Sequence, residues 1–369
     1  MEVLLAGILQ SSFKDWIMVA IGILLIYLAV KKDFEPSLLI PMGFGCIIAN
    51  IPLSGAIGPE GVFNYLNASL IVTDIAPLLI FIGVGAMIDF GPLLQNPLML
   101  LFGAAAQFGI FATLLVAALL GYPLNQAASI GIIGAADGPT SIFVASRFAR
   151  ELLGPISVAA YSYMSLVPMI QPPVIKALTT KKERMIRMPY RPESVSRQVK
   201  LIFPILVTII AGIIAPQSVA LIGFLMFGNF LREAGVVDRL SKSAQNELVN
   251  IVTILLGLTI GSTMLGSQFL KLSTLGIIAL GLVAFIFDTA GGVVFAKILN
   301  LFVKNKINPM VGAAGISAFP MSARVMQKLA QKEDPSNFIL MQAIGSNVAG
   351  QVGSVLAGGI IVALLSGML

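Results

Sequence analysis

Residues 131–141, GIIGAADGPTS, lie inside a long apolar run. Gly134, Ala135 and Ala136 lead into an acid, Asp137, and a Gly-Pro pair follows at once. Proline removes an amide donor and clashes with the preceding turn, and glycine weakens a helix interior. The run therefore cannot continue as one helix. Freed peptide groups and a carboxylate are both costly away from water. Their coincidence inside an apolar segment points to a site.

The surrounding chain fixes the setting. It is 57% hydrophobic and 11% charged, with a mean hydropathy of +0.96, whereas soluble domains carry roughly 25% charged residues. Unbroken apolar runs such as 17–30 are read as membrane helices, because a transmembrane barrel would alternate in segments of about ten residues. Histidine is absent, which excludes Ser-His-Asp catalysis, His-ligated metals and His proton relays. Cys46 is the single cysteine, so there is no disulfide framework and no thiol pair for a transition metal. The net charge of +6 concentrates in loops, as membrane topology requires, and needs no nucleic-acid partner. Residues 1–12 have no basic n-region and contain Glu2. They are expected to be a retained apolar lead-in, not a cleaved signal.

Working outward from the break, apolar segments fall near 15–31, 36–53, 72–90, 97–121, 125–149 and 155–178. A second series falls near 198–214, 216–233, 247–265, 274–303, 307–330 and 335–366. Residues 179–200, TTKKERMIRMPYRPESVSRQVK, separate them with seven Lys/Arg and two Glu, which marks a cytoplasmic loop. The two series resemble each other. PSLLIPMGFGCIIANI from Pro36 parallels PQSVALIGFLMFGNFL from Pro216, and IGVGAMIDF from Ile82 parallels LGLTIGSTM from Leu256. GAADGPTSIFVASR from Gly134 parallels GAAGISAFPMSAR from Gly312. The offsets stay between 174 and 180 residues, which argues for a duplicated unit. The expected fold is an all-α polytopic membrane protein with about 10–12 membrane segments. Two homologous repeats, expected to be inverted, meet at a central site through discontinuous helices. The boundaries read as a lead-in and first transmembrane helix (1–35), repeat 1 (36–178), a basic cytoplasmic loop with connecting helix (179–215) and repeat 2 (216–369).

Both repeats are broken at the same place. The second break runs through Asn308, Pro309, Gly312, Ala313, Ala314, Gly315, Ser317 and Pro320. Unwound backbone survives at membrane depth only where protein or water covers it, and matched breaks in two repeats point to a substrate or ion site. Carbonyls, one carboxylate, hydroxyls and amides are hard oxygen donors that suit Na+ better than a transition metal. Asp137 supplies the charge, unless it serves as a helix cap or as the partner of an arginine, and Thr140, Ser141, Asn308 and Ser317 supply neutral oxygens. Arg147 and Arg324 occupy equivalent places after the breaks. Arg147 is read as snorkelling to the headgroups. Arg324, flanked by FPMSARVMQ, reads as deeper and able to hold an anionic group with its planar fork. Tyr161, Ser162, Tyr163 and Ser165 form a polar stripe that is either packing or a proton path. Asn347, Gln351 and Ser354 in MQAIGSNVAGQVGSVLAGG read first as close helix packing and second as a polar path. Asp288, in FDTAGG, either joins the ion path or satisfies a broken helix. Asp74 and Asp89 lie near span ends and read as loop or cap residues.

These stretches taken together resemble a known family. GIIGAADGPTSIF, YSYMSLVPMIQPPVIKALTTKKER, FDTAGGVVFAK, NPMVGAAGISAFPMSARV and GSNVAGQVGS resemble the β subunits of the sodium-pumping biotin-dependent decarboxylases, which act on oxaloacetate, methylmalonyl-CoA or glutaconyl-CoA. The likeness runs from about residue 17 to the C-terminus. It implies a carboxybiotin decarboxylase subunit that couples decarboxylation and proton consumption to outward Na+ transport. It further implies a soluble carboxyltransferase α subunit, a biotin carrier subunit that presents carboxybiotin, a small membrane subunit and a prokaryotic inner-membrane location. No cofactor is covalently attached to this chain in that picture. By motif match, Asp137 is the principal Na+-site acid and Tyr163 helps bind Na+ or deliver the proton. Asn308, Gly312, Ser317 and Arg324 line the second half of the site, and Arg324 suits the carboxybiotin carboxylate. Asp288, Thr140 and Asn347 are further candidates. Without the resemblance, a Na+-coupled secondary transporter of an organic anion fits the repeats and breaks equally well. A bare membrane anchor would leave Asp137 without a purpose.

Overall fold

The computed structural model describes Gly7 and residues 10–188 and 195–367. Most of the 1–12 lead-in and residues 189–194 of the basic loop lie outside these. Helices are the regular secondary structure of the described residues, with no strand among them.

In the first half, α1 (Phe13–Lys32) starts at a Ser12/Asp15 capping box and ends at Asp33 in a left-handed turn. It is followed by α2 (Pro36–Ala49), α3 (Val62–Leu66), α4 (Ile75–Met87), α5 (Gly91–Gln95), α6 (Met99–Ala105) and α7 (Phe108–Leu119). The first break separates α8 (Leu124–Gly131) from α9 (Gly138–Phe148), and α10 (Leu153–Leu178) closes the half. The basic loop contributes α11 (Lys181–Arg184). The second half runs through α12 (Arg197–Ile214), α13 (Val219–Ala234), α14 (Asp238–Ser243), α15 (Val249–Ser262), α16 (Gly266–Phe269) and α17 (Leu272–Phe302). The second break separates α18 (Pro309–Ala313) from α19 (Met321–Glu333), and α20 (Leu340–Ser366) ends the chain.

Seven helical stretches are long and apolar enough to cross a membrane: 13–32, 99–119, 150–178, 197–214, 238–262, 272–302 and 340–366. The segment expected at 72–90 is a pair bent by 58° where residues 62–71 meet 75–87. The other four expected segments are short helices (α2 and α13) or the two broken ones. For the two broken segments the physical reason is local: Gly-Pro and Asn-Pro pairs open α9 and α18.

Packing between the halves is reciprocal. α2 lies on α15 while α4 lies on α13. Likewise α10 lies on α17 while α20 lies on α6; within the halves, α17 lies on α18 as α7 lies on α8. Burial sorts the helices by position. In its most apolar window α12 buries 11% of residues, α1 22% and α20 72%. α1 and α12 are therefore the lipid-facing periphery, and α20 is the central post. At the centre, α17 and α18 cross so closely that a methyl group on Gly312 would stand 2.0 Å from the Gly292 carbonyl oxygen. Small residues are what permit such backbone approach between membrane helices.

Candidate functional site

The first break is a 3-10 turn, Ile132–Ala135, followed by Ala136 at a left-handed φ of 51°. That reversal turns the chain so that Asp137 becomes the N-cap of α9, with Oδ1 accepting the Thr140 amide at 3.3 Å. The N-terminal end of a helix favours a carboxylate through its oriented amides. Oδ2 collects three further donors. Thr140 Oγ1 is at 2.8 Å, Ser354 Oγ at 2.6 Å and Gln351 Nε2 at 3.0 Å. Asp137 is 2% exposed, every one of these donors is neutral, and no ion pair among the described residues reaches it. The aromatic ring of Tyr161 lies against Gly138, where a methyl group would meet ring carbon Cζ at 2.0 Å. Ser141 Oγ returns a bond to the Asp137 carbonyl at 2.8 Å. A negative charge without a countercharge, wrapped in hydroxyl and amide groups, is a seat that a monovalent cation or a proton can neutralise. No cluster of three or more His, Cys, Asp or Glu able to hold a metal occurs among the described residues.

The second break joins the first through backbone and small polar groups. The Ser317 amide donates to the Ala135 carbonyl at 3.1 Å, and Ser317 Oγ donates to the Gly350 carbonyl at 2.8 Å. Asn347 Nδ2 donates to the Ile316 carbonyl at 2.5 Å, while its Oδ1 is buried without a partner among the described residues. Gln107 Nε2 reaches the carbonyls of Gly103 at 2.8 Å and Gly350 at 3.4 Å, and its Oε1 is likewise unpartnered. Buried acceptors left open in this way are the groups that ordered water or an ion satisfies. Gln171, fully buried, ties α10 to the second break by donating to the Ala313 carbonyl at 2.9 Å and accepting from Ser322 Oγ at 2.9 Å.

Of the predicted residues, Asp137, Thr140, Ser317 and Asn347 gather around the junction of the two breaks with α20. Gly312 serves the α17–α18 crossing. Asn308 lies apart: it is fully buried, its Oδ1 accepts the Met310 amide at 3.1 Å, and its Nδ2 donates to the carbonyls of Arg184 and Ile186 at 2.8 and 2.9 Å. It therefore locks the second break to the basic loop. Tyr163 faces away from Asp137. Its hydroxyl donates to the Ile278 carbonyl on α17 and its ring lies 6.4 Å from that of Phe285. Two residues along a helix are turned by about 200°, so Tyr161 and Tyr163 cannot both face the break. Arg324, read as deep, is exposed. The inward face of α19 is taken by Ala323, Val325, Met326, Leu329 and Ala330, and Arg324 shares the outward face with Lys328 and Lys332.

Asp288 is fully buried beside the first break without joining the Asp137 shell. Its Oδ1 accepts the Ile110 amide at 3.2 Å, and its unpartnered Oδ2 faces Gly134, where a methyl group would stand 2.8 Å away. Arg147 does not snorkel freely: it pairs with Asp74 at 2.9 Å and stacks over Phe143 at 4.3 Å. Asp74 also accepts from Ser146 at 2.7 Å, so it braces the bend before α4 against the end of α9. On the loop side, Arg184 pairs with Glu333, Arg187 with Asp334 and Lys297 with Glu183. Ser336 and Arg187 hold the Asp334 carboxyl below its ordinary value. Partial burial pushes Glu183 up, but Thr180 and Lys297 outweigh it and hold the carboxyl low.

Gln351 and Ser354 are the site residues that sequence reasoning ranked too low. Their signal was present: Asn347, Gln351 and Ser354 recur at four and three residues, which puts them on one face of a helix. Gln107 and Gln171 carried no such signal.

Fold and site together define a polytopic helical membrane protein of the broken-helix kind used in ion transport. Residues 14–365 match the family described as the Na+-transporting oxaloacetate decarboxylase beta subunit. The chain is 53% identical over 361 residues to the methylmalonyl-CoA decarboxylase subunit beta of Veillonella parvula, covering 98% of this chain and 96% of that protein. It is 51% identical over 362 residues to the glutaconyl-CoA decarboxylase subunit beta of Acidaminococcus fermentans, with 98% and 96% covered. It is 45% identical over 415 aligned positions to the oxaloacetate decarboxylase beta chain of Klebsiella pneumoniae, with 96% of each covered. The chain belongs to this family, the β subunits of the sodium-translocating decarboxylases.

Proposed function

We propose that this chain decarboxylates carboxybiotin and couples that step to outward Na+ movement across a prokaryotic inner membrane. The observation that carries the reading is the buried, unpaired Asp137 carboxylate at the junction of two broken helices, held by Thr140, Gln351 and Ser354. Decarboxylation turns N-carboxybiotin and one proton into biotin and CO2. A carboxylate can hold Na+ or a proton, but holding both is disfavoured by charge competition. Proton entry at Asp137 would thus expel Na+, and Na+ entry would expel the proton. Asn347 Oδ1 and Gln107 Oε1, buried and unpartnered, are oxygen donors of the kind a hard cation takes. Na+ is the cargo here, not a resident cofactor.

The duplicated unit, with repeat 1 at 36–178 and repeat 2 at 216–369, is part of this proposal. The reciprocal packing of α2 on α15 and α4 on α13 supports it. Inverted repeats that rock against each other would present the junction first to one side and then to the other. A carboxyltransferase α subunit, a biotin carrier and a small membrane subunit complete the assembly. The substrate acid is chosen by the carboxyltransferase. Membership of the decarboxylase family favours this reading over a secondary transporter of an organic anion.

The test is CO2 release from free carboxybiotin and 22Na+ uptake, both in proteoliposomes. Wild type should show Na+-dependent CO2 release with matching Na+ uptake, and Asp137→Asn should lose both. Retention of Na+ pumping by Asp137→Asn would overturn the role given to that residue.

A further inference from the structure

The outer face of α17 ends in a cavity of about 570 Å³ whose two halves differ in chemistry. Val294, Ile298 and Leu301 form the apolar half. They recur at four and three residues, so they share one face of the helix. All three are exposed, although α17 is long and apolar enough to cross a membrane. Exposed apolar side chains on such a helix meet lipid chains. Leu178 at the end of α10 and Ile186 of the basic loop close the sides.

The other half is basic. Lys297 and Lys306 line it against one carboxylate, Glu183. Lys297 donates to the Leu178 carbonyl at 3.0 Å and pairs with Glu183 at 3.2 Å. Lys306 donates to the carbonyls of Asn300 and Val303. An ammonium has three donors, so each lysine keeps one for a ligand. These bonds already hold both ammoniums in place, so little side-chain freedom is lost when a ligand arrives. The turn that carries Lys306 is fixed, since the Asn300 side chain bonds both the amide and the carbonyl of Ile307 at 2.7 Å. Lys304, on the same turn, is exposed and makes no ion pair among the described residues. It adds to the positive potential there.

The place of the cavity decides what enters it. α17 leaves its apolar stretch here, so the lysines stand at the boundary between hydrocarbon and water. The basic loop supplies part of the wall, and its excess of Lys and Arg assigns this end to the cytoplasmic leaflet. Basic pockets between membrane helices on that side suit anionic headgroups. A soluble anion could satisfy the lysines but would leave Val294, Ile298 and Leu301 uncovered. A neutral lipid could cover those three but would leave the lysines without a countercharge. We infer that this cavity binds an anionic phospholipid. Its phosphodiester takes the remaining donors of Lys297 and Lys306, and an acyl chain lies along the apolar face. Val294 and Leu301 are about 10 Å apart along the helix at 1.5 Å per residue, within the about 15 Å of hydrocarbon in one leaflet. The bound lipid joins α10, the basic loop and α17. Asn308 ties the same loop to the second break through the carbonyls of Arg184 and Ile186, so the lipid braces the loop on which that break is anchored.

The test uses the full chain in lipid vesicles and reads the bound lipid by fluorescence, without turnover. Trp16 is the single native tryptophan, so in a Trp16→Phe background an Ile298→Trp reporter responds only to lipid at the cavity. Phosphatidylglycerol with brominated chains should quench it with about tenfold higher relative affinity than brominated phosphatidylcholine. An Ile254→Trp reporter, exposed on α15 where no lysine occurs, should show no preference. Lys306→Gln, at an exposed position, should lower the preference at residue 298 about fivefold, the share of one ammonium, and Lys306→Arg should keep it. Lys297→Gln combined with Lys306→Gln should abolish it. Millimolar inorganic phosphate should leave it unchanged. Equal quenching by the two lipids at residue 298, the same preference at both reporters, or a preference that survives loss of both lysines overturns the assignment. Loss of the preference on adding inorganic phosphate overturns it too, because the ligand is then a soluble phosphate and not a lipid.

Discussion

The two breaks share an architecture and differ in chemistry. Both interrupt a membrane segment with small residues and a proline, and each has a capped helix beside it, α9 after the first and α18 before the second. The first caps its helix with Asp137, whose carboxylate gathers side-chain donors from α20. The second caps its helix with Asn308, whose amide grips the carbonyls of the basic loop. One break therefore carries a buried charge, and the other is anchored at the basic loop without one. The duplicated unit proposed above would supply the same cradle twice, with the acid in one copy only.

The largest expected effect tests that asymmetry directly. Asp137→Asn should lower Na+-dependent CO2 release by about 100-fold or more, the range seen when a proton-carrying group is lost, measured against chain still present in the membrane. Ser317→Ala, at the second break, should cost only about tenfold, as for one buried hydrogen bond. Equal losses at the two would erase the distinction.

Steric insertion comes next and should act on both breaks alike. Gly138→Ala and Gly312→Ala each force a methyl group to within 2.0 Å of a neighbour. Overpacking of this kind costs about 1–3 kcal/mol, read as a lower thermal midpoint in detergent. Ser354→Ala removes one donor from Asp137, and the Na+ concentration for half-maximal activity should rise about fivefold. Asn308→Ala should leave that concentration unchanged and instead speed hydrogen exchange at residues 184–188, because it frees the loop rather than the ion seat.

The smallest effect is a pH dependence confined to the basic loop and the end of α19. Asp334 and Glu183 have carboxyls held below their ordinary values of 3.8 and 4.5. Groups lowered in the folded state stabilise it above the unfolded value, and that contribution is lost as pH falls through the folded one. Exchange at residues 181–188 should thus stay constant from neutral pH to about pH 5 and rise below about pH 4. Their partners Arg187 and Lys297 are 65% and 40% exposed, so solvent screens both pairs and the change should be modest.

Legibility followed the range of the interactions. Asp137 was readable because a carboxylate and a Gly-Pro pair in an apolar run conflict locally. Gln351 and Ser354 were legible only as a helical face, since nothing in α20 says which helix that face meets. Tyr161 and Tyr163 could not be separated in sequence, because helix rotation against α9 and α17 decides which ring reaches the break. Arg324 misled because its apolar neighbours belong to the opposite face of an amphipathic helix.

The sequence by itself determined that this chain is a helical membrane protein, where its helices break, and that one acid sits at one break. Composition and proline chemistry act within a few residues and need no partner. Only the tertiary structure decided which donors close around Asp137, that Asn308 serves the loop, and that Asp288 stands outside the shell. Those outcomes depend on helices some 200 residues apart in the chain, brought together by glycine-lined crossings whose geometry no local pattern records.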